Sequence, residues 1–545
     1  MVRVATRRTA TRGRALVLVL AVVVLGSTAV SAQAAGSDTS VLVVYPTGRY
    51  PIDHQNVQAA VDAGGTVLLK AIDMRGVPAA FNFGPAVDGV GGQVDLTTDV
   101  AVVGESTGSH MTTIRGGVIP FFGTVAVRTR IEGISFEGPL LAAIIITRST
   151  GSDIVGNRIS GVVGSELLLA LGVPPLTEGR GIKFLGNGDP DGDITGSVRV
   201  VGNVIEDMHA DLSDAIVFDA AAADVEISQN RIETTQSSGI FVINSAGSVE
   251  ITDNFVAPGA GDPEGLSFGN GVTVAGLRGA RLEITGNEIV CENPAADGIY
   301  LVGNDSLGAV EDAVVSSNRI TMAGSTFAAI ALEDDVSRTS ITGNTIVGAA
   351  NHAFELRQVE DGSTAELNDL RDNDITAFQA AAGEAFLDRH TRATRVVGPG
   401  GVVTDMGDGN LLEGFAPFPL GPAQPQSASR VIVPAPGVGT RIEPLTAAAA
   451  EFDIGGTDQG WDNARIDVLA TPTAAADLDL FLERHQPDGT WLTVTMSAGS
   501  DLDREHLVAR RQPPGRYRIL VHNWSGGPQV ADVVVTFFNQ DDEAA

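Results

Sequence analysis

Between Arg180 and Asp219 the chain gathers an unusual density of side chains that can do chemistry. They are Arg180, Lys183, Asp189, Asp191, Asp193, Glu206, Asp207, His209, Asp211, Asp214 and Asp219. Lys183 is one of only two lysines in the chain, the other being Lys70. A lysine near ionised carboxylates can accept a proton or neutralise an anion, so Lys183 with Asp214 is the pair expected to carry catalysis if there is any. β-Elimination of a uronate needs a base for the C5 proton and a cation against the carboxylate, and such a pair meets both needs. Glycoside hydrolysis would need instead two carboxyls about 5–9 Å apart, for which Asp214 and Asp219 are the candidates.

The run Asn187-Gly-Asp-Pro-Asp-Gly-Asp193 sets oxygen ligands at alternate positions with glycine sixth, as a calcium loop begins. Position twelve is Val198, so the bidentate glutamate of a helix-loop-helix site is missing. An irregular Ca²⁺ turn and a plain acidic turn both stay open. Asp189 and Asp191, with Asp219, are the ligands such an ion would take. His209, His352 and His390 lack metal-like spacing, and Cys291 follows Ile289-Val290 in a strand-like run, where packing is expected.

The elements that must hold these groups come from a repeat. Val225-Glu-Ile-Ser-Gln-Asn-Arg-Ile-Glu233 is rewritten as Val249-Glu-Ile-Thr-Asp-Asn-Phe-Val256 and as Leu282-Glu-Ile-Thr-Gly-Asn-Glu-Ile-Val290. Aligned on the amide, the copies fall at Asn157, Asn203, Asn230, Asn254, Asn287, Asn318, Asn344 and Asn373, with Ile134 in the same place but without the amide. A loose period of this size means stacked supersecondary units. The asparagine is expected in the bend after the first strand, in a left-handed conformation, its amide stacking on copies above and below.

Between the asparagine lines runs a second strand set, among them Gly181-Ile-Lys-Phe184, Ala215-Ile-Val-Phe218, Gly239-Ile-Phe-Val242 and Gly298-Ile-Tyr-Leu301. Two strands per repeat, joined by Gly, Asn and Asp turns, predict one coil of a right-handed parallel β-helix, an all-β solenoid. Its inward positions are sealed with aliphatic residues, so a site must lie outside. The outward column reads Lys183, Val217, Phe241, Thr273, Tyr300, Ala331 and Glu355, with Arg180, Asp214 and Asp297 just ahead of their strands. A polysaccharide lying along this column would stack rings on Phe241 and Tyr300 and meet Arg180 and Asp297. The alternative is an ordinary solvated sheet face.

The opening Asn56-Val-Gln-Ala-Ala-Val-Asp-Ala63 with Thr66-Val-Leu-Leu69 resembles the capping helix and first coil of secreted pectin-lyase-like β-helix proteins. The resemblance implies the fold and not the catalytic residues, because the aspartate-pair motifs of polygalacturonases find no convincing match here. The solenoid is expected over 36–414, followed by a proline-rich linker over 415–439. Beyond it, alternating runs predict an antiparallel β-sandwich over 440–540, with the tryptophans Trp461, Trp491 and Trp524 expected in its core, sugar-stacking platforms being the alternative. Asp477-Leu-Asp-Leu-Phe-Leu482 and Pro513-Pro-Gly-Arg-Tyr-Arg-Ile-Leu-Val521 resemble the bacterial pre-peptidase C-terminal domain, which implies a role in targeting or substrate adhesion.

Composition bounds the partners. The 35 basic and 67 acidic residues leave a net charge of −32, which repels nucleic acid and anionic membranes. Residues 1–35 read as an export signal: Arg3 to Arg14 form the basic region, Ala15 to Gly26 the apolar one, and cleavage is expected after Ala34. The apolar run is too short for a membrane anchor, so a soluble extracellular monomer is expected. The function expected is a secreted protein that binds, and cleaves or epimerises, a uronate-type polysaccharide. The rival is a non-catalytic surface or matrix protein with a structural or adhesive role.

Overall fold

In the computed structural model the described residues run from 41 to 417, apart from 85–91, 108–109, 163–177, 187–192, 209–211, 234, 236, 260–268, 280, 295, 305–306, 359–362, 382, 389 and 406. In the C-terminal part they are 423–433, 446–454, 464–473, 477–486, 489, 491–497, 505–512, 515–525 and 529–539. The export signal therefore lies outside the described residues. The chain divides into two compact units, one holding 37–358 and 362–417, the other holding 418–545.

The first unit is a parallel β-helix. Each apolar-polar alternation closes one side inward: in Asp224–Ser228 the buried apolar residues are Val225 and Ile227, and in Val249–Thr252 they are Val249 and Ile251. The register stacks like on like, with Val200, Ile227, Ile251 and Ile284 in one line. These strands build a 14-stranded sheet from Val41–Val44 to Leu411–Glu413. A coil contributes three strands and not two. After Asp224–Ser228 the asparagine bend leads into a short strand, Arg231–Glu233, and then into Ile240–Ser245. The short strand was invisible in the pattern because it holds only three residues, one of them buried. The helix Ile52–Asp62 buries Val57, Ala60 and Val61 against the first coil, covering apolar surface that the next coil would otherwise hide.

The asparagines form an unbroken ladder. Asn230 donates both its backbone N–H and its side-chain amide to Asn254 Oδ1, at 3.0 and 2.9 Å. Asn254 does the same to Asn287, at 3.0 and 2.9 Å. The amide also reaches the preceding coil's carbonyl, Asn254 Nδ2 to Ile227 O at 2.9 Å. The left-handed position is one residue earlier than expected. It falls on Gly156, Gly202, Gln229, Asp253, Gly286, Ser317, Gly343 and Asp372, all with φ between 54° and 70°. Putting the turn there leaves the asparagine with ordinary angles and its side chain inside the bend.

The second unit is a sandwich of two four-stranded antiparallel sheets whose facing residues, Val468, Leu480, Ile519 and Val533 among them, make one core. The proline-rich stretch departs from its reading as a linker: Ala423–Val433 is an edge strand paired with Gln529–Asn539. Pro425 sits beside a bulge on that edge, where its missing N–H breaks nothing. Trp491 is half-buried beneath the Arg518 guanidinium, 4.4 Å from the ring centre, and not in the core. The side chains of Trp461 and Trp524 lie outside the described residues.

Candidate functional site

The third strand of each coil carries the sequence-derived candidates, and their register is the one the asparagine line dictates. Glu178–Leu185 pairs in parallel with Leu212–Asp219, setting Arg180 opposite Asp214, Lys183 opposite Val217 and Leu185 opposite Asp219. Lys183, Val217, Phe241, Thr273, Tyr300, Ala331 and Glu355 then follow in a single outward column.

The column is far less open than a solvated face. Arg180 Nη1 lies 3.1 Å from Asp214 Oδ2, with side-chain exposures of 10% and 6%. The other oxygen, Asp214 Oδ1, accepts the backbone N–H of Ser238 in the next coil at 2.9 Å. Both oxygens of Asp214 are thus engaged, and Asp214 works as a staple between coils, with neither oxygen open to accept a substrate proton. Lys183 is only 4% exposed and makes no hydrogen bond or ion pair among the described residues. Its register neighbours are Ile145 and Val217, both buried. Asp219 is half-buried one alternate position along from Val217. Asp189 and Asp191 lie outside the described residues, as do His209 and Asp211. Asp193, at the end of the same acidic run, is held by Arg148 at 3.0 Å.

A second cluster, further along the solenoid, draws in the other candidates. Arg357 reaches Asp297 Oδ2 at 2.8 Å, Glu333 Oε2 at 2.7 Å and Glu355 Oε2 at 3.5 Å, so three successive coils meet on one guanidinium. That guanidinium lies 4.8 Å from the Tyr300 ring centre and 5.3 Å from that of Phe327. Tyr300 is 1% exposed, so its face is occupied by a cation of the protein itself and is not a platform for a sugar ring. Phe241 is half-buried and keeps part of its ring at the surface. Asp297 also accepts the N–H of Ala328 at 2.9 Å, repeating the arrangement at Asp214.

The electrostatics follow from burial and the single cation. Burial pushes Asp297 up, against the pull of Arg357. Burial also works against ionised Glu333, but the Arg357 charge and the donors around it outweigh that and hold Glu333 below the usual range. Burial raises the Tyr300 phenol well above its ordinary value, with the Glu333 charge adding to it, so Tyr300 is a proton donor at neutral pH. Burial would lower Arg357, yet its carboxylate partners keep it charged. Nearby, His390 is 5% exposed, and burial lowers it to about 4 against the opposing pull of the Asp388 and Glu333 charges. Burial pushes the Cys291 thiol up to about 12, which agrees with a packing role. Among the described residues no three His, Cys, Asp or Glu side chains are grouped to hold a metal ion.

Arg357, the hub of this cluster, reads in the sequence as one more outward polar residue, with Glu333 and Asp219, and not as a site residue. The signal that could have found it is distance in coils: Arg357 and Asp297 are 60 residues apart but only two coils.

No family model matches the chain, and no curated protein matches it. Among solved structures, the A-module of the mannuronan C-5 epimerase AlgE4 from Azotobacter vinelandii is 16% identical, covering 62% of this chain and 94% of its own, at a TM-score of 0.33. The tailspike protein gp49 of the Acinetobacter baumannii bacteriophage Fri1, a capsular polysaccharide depolymerase, is 9% identical, covering 93% and 87%, at a TM-score of 0.27. Tailspike protein 2 of an Escherichia coli O157:H7 bacteriophage is 12% identical, covering 89% and 68%, at 0.28. Likeness at this level transfers no substrate and no site residue, and the fold stands on the strand register itself.

Proposed function

We propose that this is a secreted protein that binds an extracellular polysaccharide of uronate type along the outward column of its third strands. The observation that carries the reading is Lys183, 4% exposed and without a counter-charge among the described residues. A buried ammonium flanked by Ile145 and Val217 is costly unless an anion meets it, and a uronate carboxylate is an anion of the right kind. Phe241, two coils on and half-buried, offers the apolar surface for a ring beside it. Because the protein carries a net charge of −32, an anionic glycan is repelled at long range, so binding is expected to strengthen with added salt or Ca²⁺.

A non-catalytic scaffold or adhesive role is favoured by a different observation. Asp214 and Asp297, the carboxylates best placed for proton transfer, are both consumed by an arginine and a backbone N–H. One screen separates the two. The mature protein is incubated with uronate polymers and neutral glycans, with and without Ca²⁺, and followed by binding and by absorbance of an unsaturated product. Binding with product supports a lyase, and binding without product supports the adhesive role. Silence across every acidic and neutral glycan would sink the polysaccharide reading, and with it Lys183 as an anion post.

A further inference from the structure

We propose that the first coil of the β-helix is a docking surface for a second copy of this chain, so that the mature protein forms a two-fold dimer through it. Such a dimer does not depend on the polysaccharide reading, and it departs from the monomer expected from the sequence.

Val41–Val44 is the end strand of the 14-stranded sheet, and among the described residues it pairs on one side only, in parallel with Gly65–Leu69. Natural edges are blunted by charge, proline or a bulge, and Val-Leu-Val-Val has none of these, its register running unbroken from Val41 to Val44. Leu42 and Val44 pack inward, while Val41 and Val43 stand 56% and 48% exposed. The helix Ile52–Asp62 sends Val57 and Val61 into the core and leaves Val41 and Val43 uncovered.

Around this edge the surface is apolar and rigid. Six of the twelve exposed large apolar side chains among the described residues fall within 41–77: Val41, Val43, Tyr50, Ile52, Met74 and Val77. Lys70 donates its backbone N–H to Val44 O at 3.0 Å, which ties the turn bearing Met74 and Val77 to the end of the edge strand. The buried Asp53 carboxylate accepts the N–H groups of Thr47 at 2.7 Å, Arg49 at 3.1 Å and Asn82 at 2.8 Å. It thereby fixes the start of the helix, with Tyr50 and Ile52, to the segment that follows the strand. A surface held in this way loses little freedom on docking.

Charge and position select the partner. Two copies of a chain of net charge −32 repel each other, yet 41–77 balances Arg49, Lys70 and Arg75 against Asp53, Asp62 and Asp73. All of the net charge lies elsewhere, so this stretch is one through which two copies can meet. The last coil offers no counterpart patch, since Leu411 is its one exposed large apolar residue among the described ones. The first-coil surface must therefore meet its own kind, which makes the contact isologous and closed at two copies.

The test is sedimentation equilibrium of the mature protein over a range of concentrations and NaCl. Twice the chain mass is expected, with association tightening as salt screens the repulsion. Val43→Lys and Met74→Lys change exposed side chains, so the fold and its circular dichroism should persist. Each places like charges together across the two-fold contact and should weaken dimerisation by about a hundredfold. Leu367→Lys, at an equally exposed position many coils away, should leave the dimer unchanged. A monomer at every concentration overturns the proposal, and if a version beginning at Val41 then dimerises, the residues just before the strand are the true occupant. A dimer indifferent to both first-coil variants overturns this surface, and an open series of larger species overturns the two-fold contact.

Discussion

At the bend after the first strand, asparagines from Asn157 to Asn373 stack coil upon coil. At the bend before the third strand, Asp214 and Asp297 do the same local task, each accepting the backbone N–H of the next coil, but never on one another. The difference is chemical. An amide both accepts and donates, so each asparagine completes its neighbour and the ladder can run without limit. A carboxylate only accepts, and two stacked at strand spacing would repel. Each aspartate therefore needs its own cation, Arg180 in one case and Arg357 in the other. Between them the position passes to Ser238 and Asn270, and Asn270 accepts the N–H of Asp297 at 2.8 Å. The amide bend is neutral and repetitive. The carboxylate bend is charged and particular, and charge is what a ligand could compete for.

Exchanging the two chemistries should give the largest effect. Asn254→Asp deletes the donors to Ile227 O and Asn287 Oδ1 and buries a charge against an acceptor, at about 3–5 kcal/mol of stability in a denaturant titration. Asp297→Asn keeps the acceptor for Ala328 and leaves Arg357 its bond to Glu333, so about 1 kcal/mol is expected. Equal losses in the two variants would refute the distinction between the bends.

His390 sharpens the charged side. Its folded pKa, about 4, lies below the unfolded value of 6.5, so the native state favours neutral imidazole. As pH falls below 6.5 the unfolded chain takes up a proton that the native state refuses, and stability falls until pH reaches about 4, where it levels. The linked loss is about 3 kcal/mol, and His390→Leu should remove that part of the pH dependence between 6.5 and 4 in unfolding curves.

The smallest effect belongs to the amide bend. Gln229 holds a φ of 56° just before Asn230, where Gly202 and Gly286 stand in other coils. Gln229→Gly relieves left-handed strain but frees the unfolded chain, for a net gain of about 0.5 kcal/mol. A loss in thermal stability would mean that the Gln229 side chain contributes more than its backbone strain costs.

The β-helix was legible in the chain because its signal is local and repeated. Val225 and Ile227 alternate with Glu226, the motif returns every few tens of residues, and aligning the asparagines sets Lys183, Phe241 and Tyr300 in the column that the strands then adopt. Less legible was anything decided across coils by side-chain reach. Nothing near Asp297 in the chain announces Arg357, and nothing near Tyr300 says that a guanidinium will cover its ring. The edge strand at Ala423–Val433 was hidden for the opposite reason. The prolines around it read locally as a linker, while an edge position made the one within it, Pro425, tolerable.

By itself, then, the sequence determined the coil, the inward face and the outward column, because alternation and period act between neighbours in the chain. Only the tertiary structure decided which outward residues were open and which were consumed. That outcome depends on which charges from different coils come within reach: Asp214 and Asp297 met arginines, and Lys183 met none among the described residues.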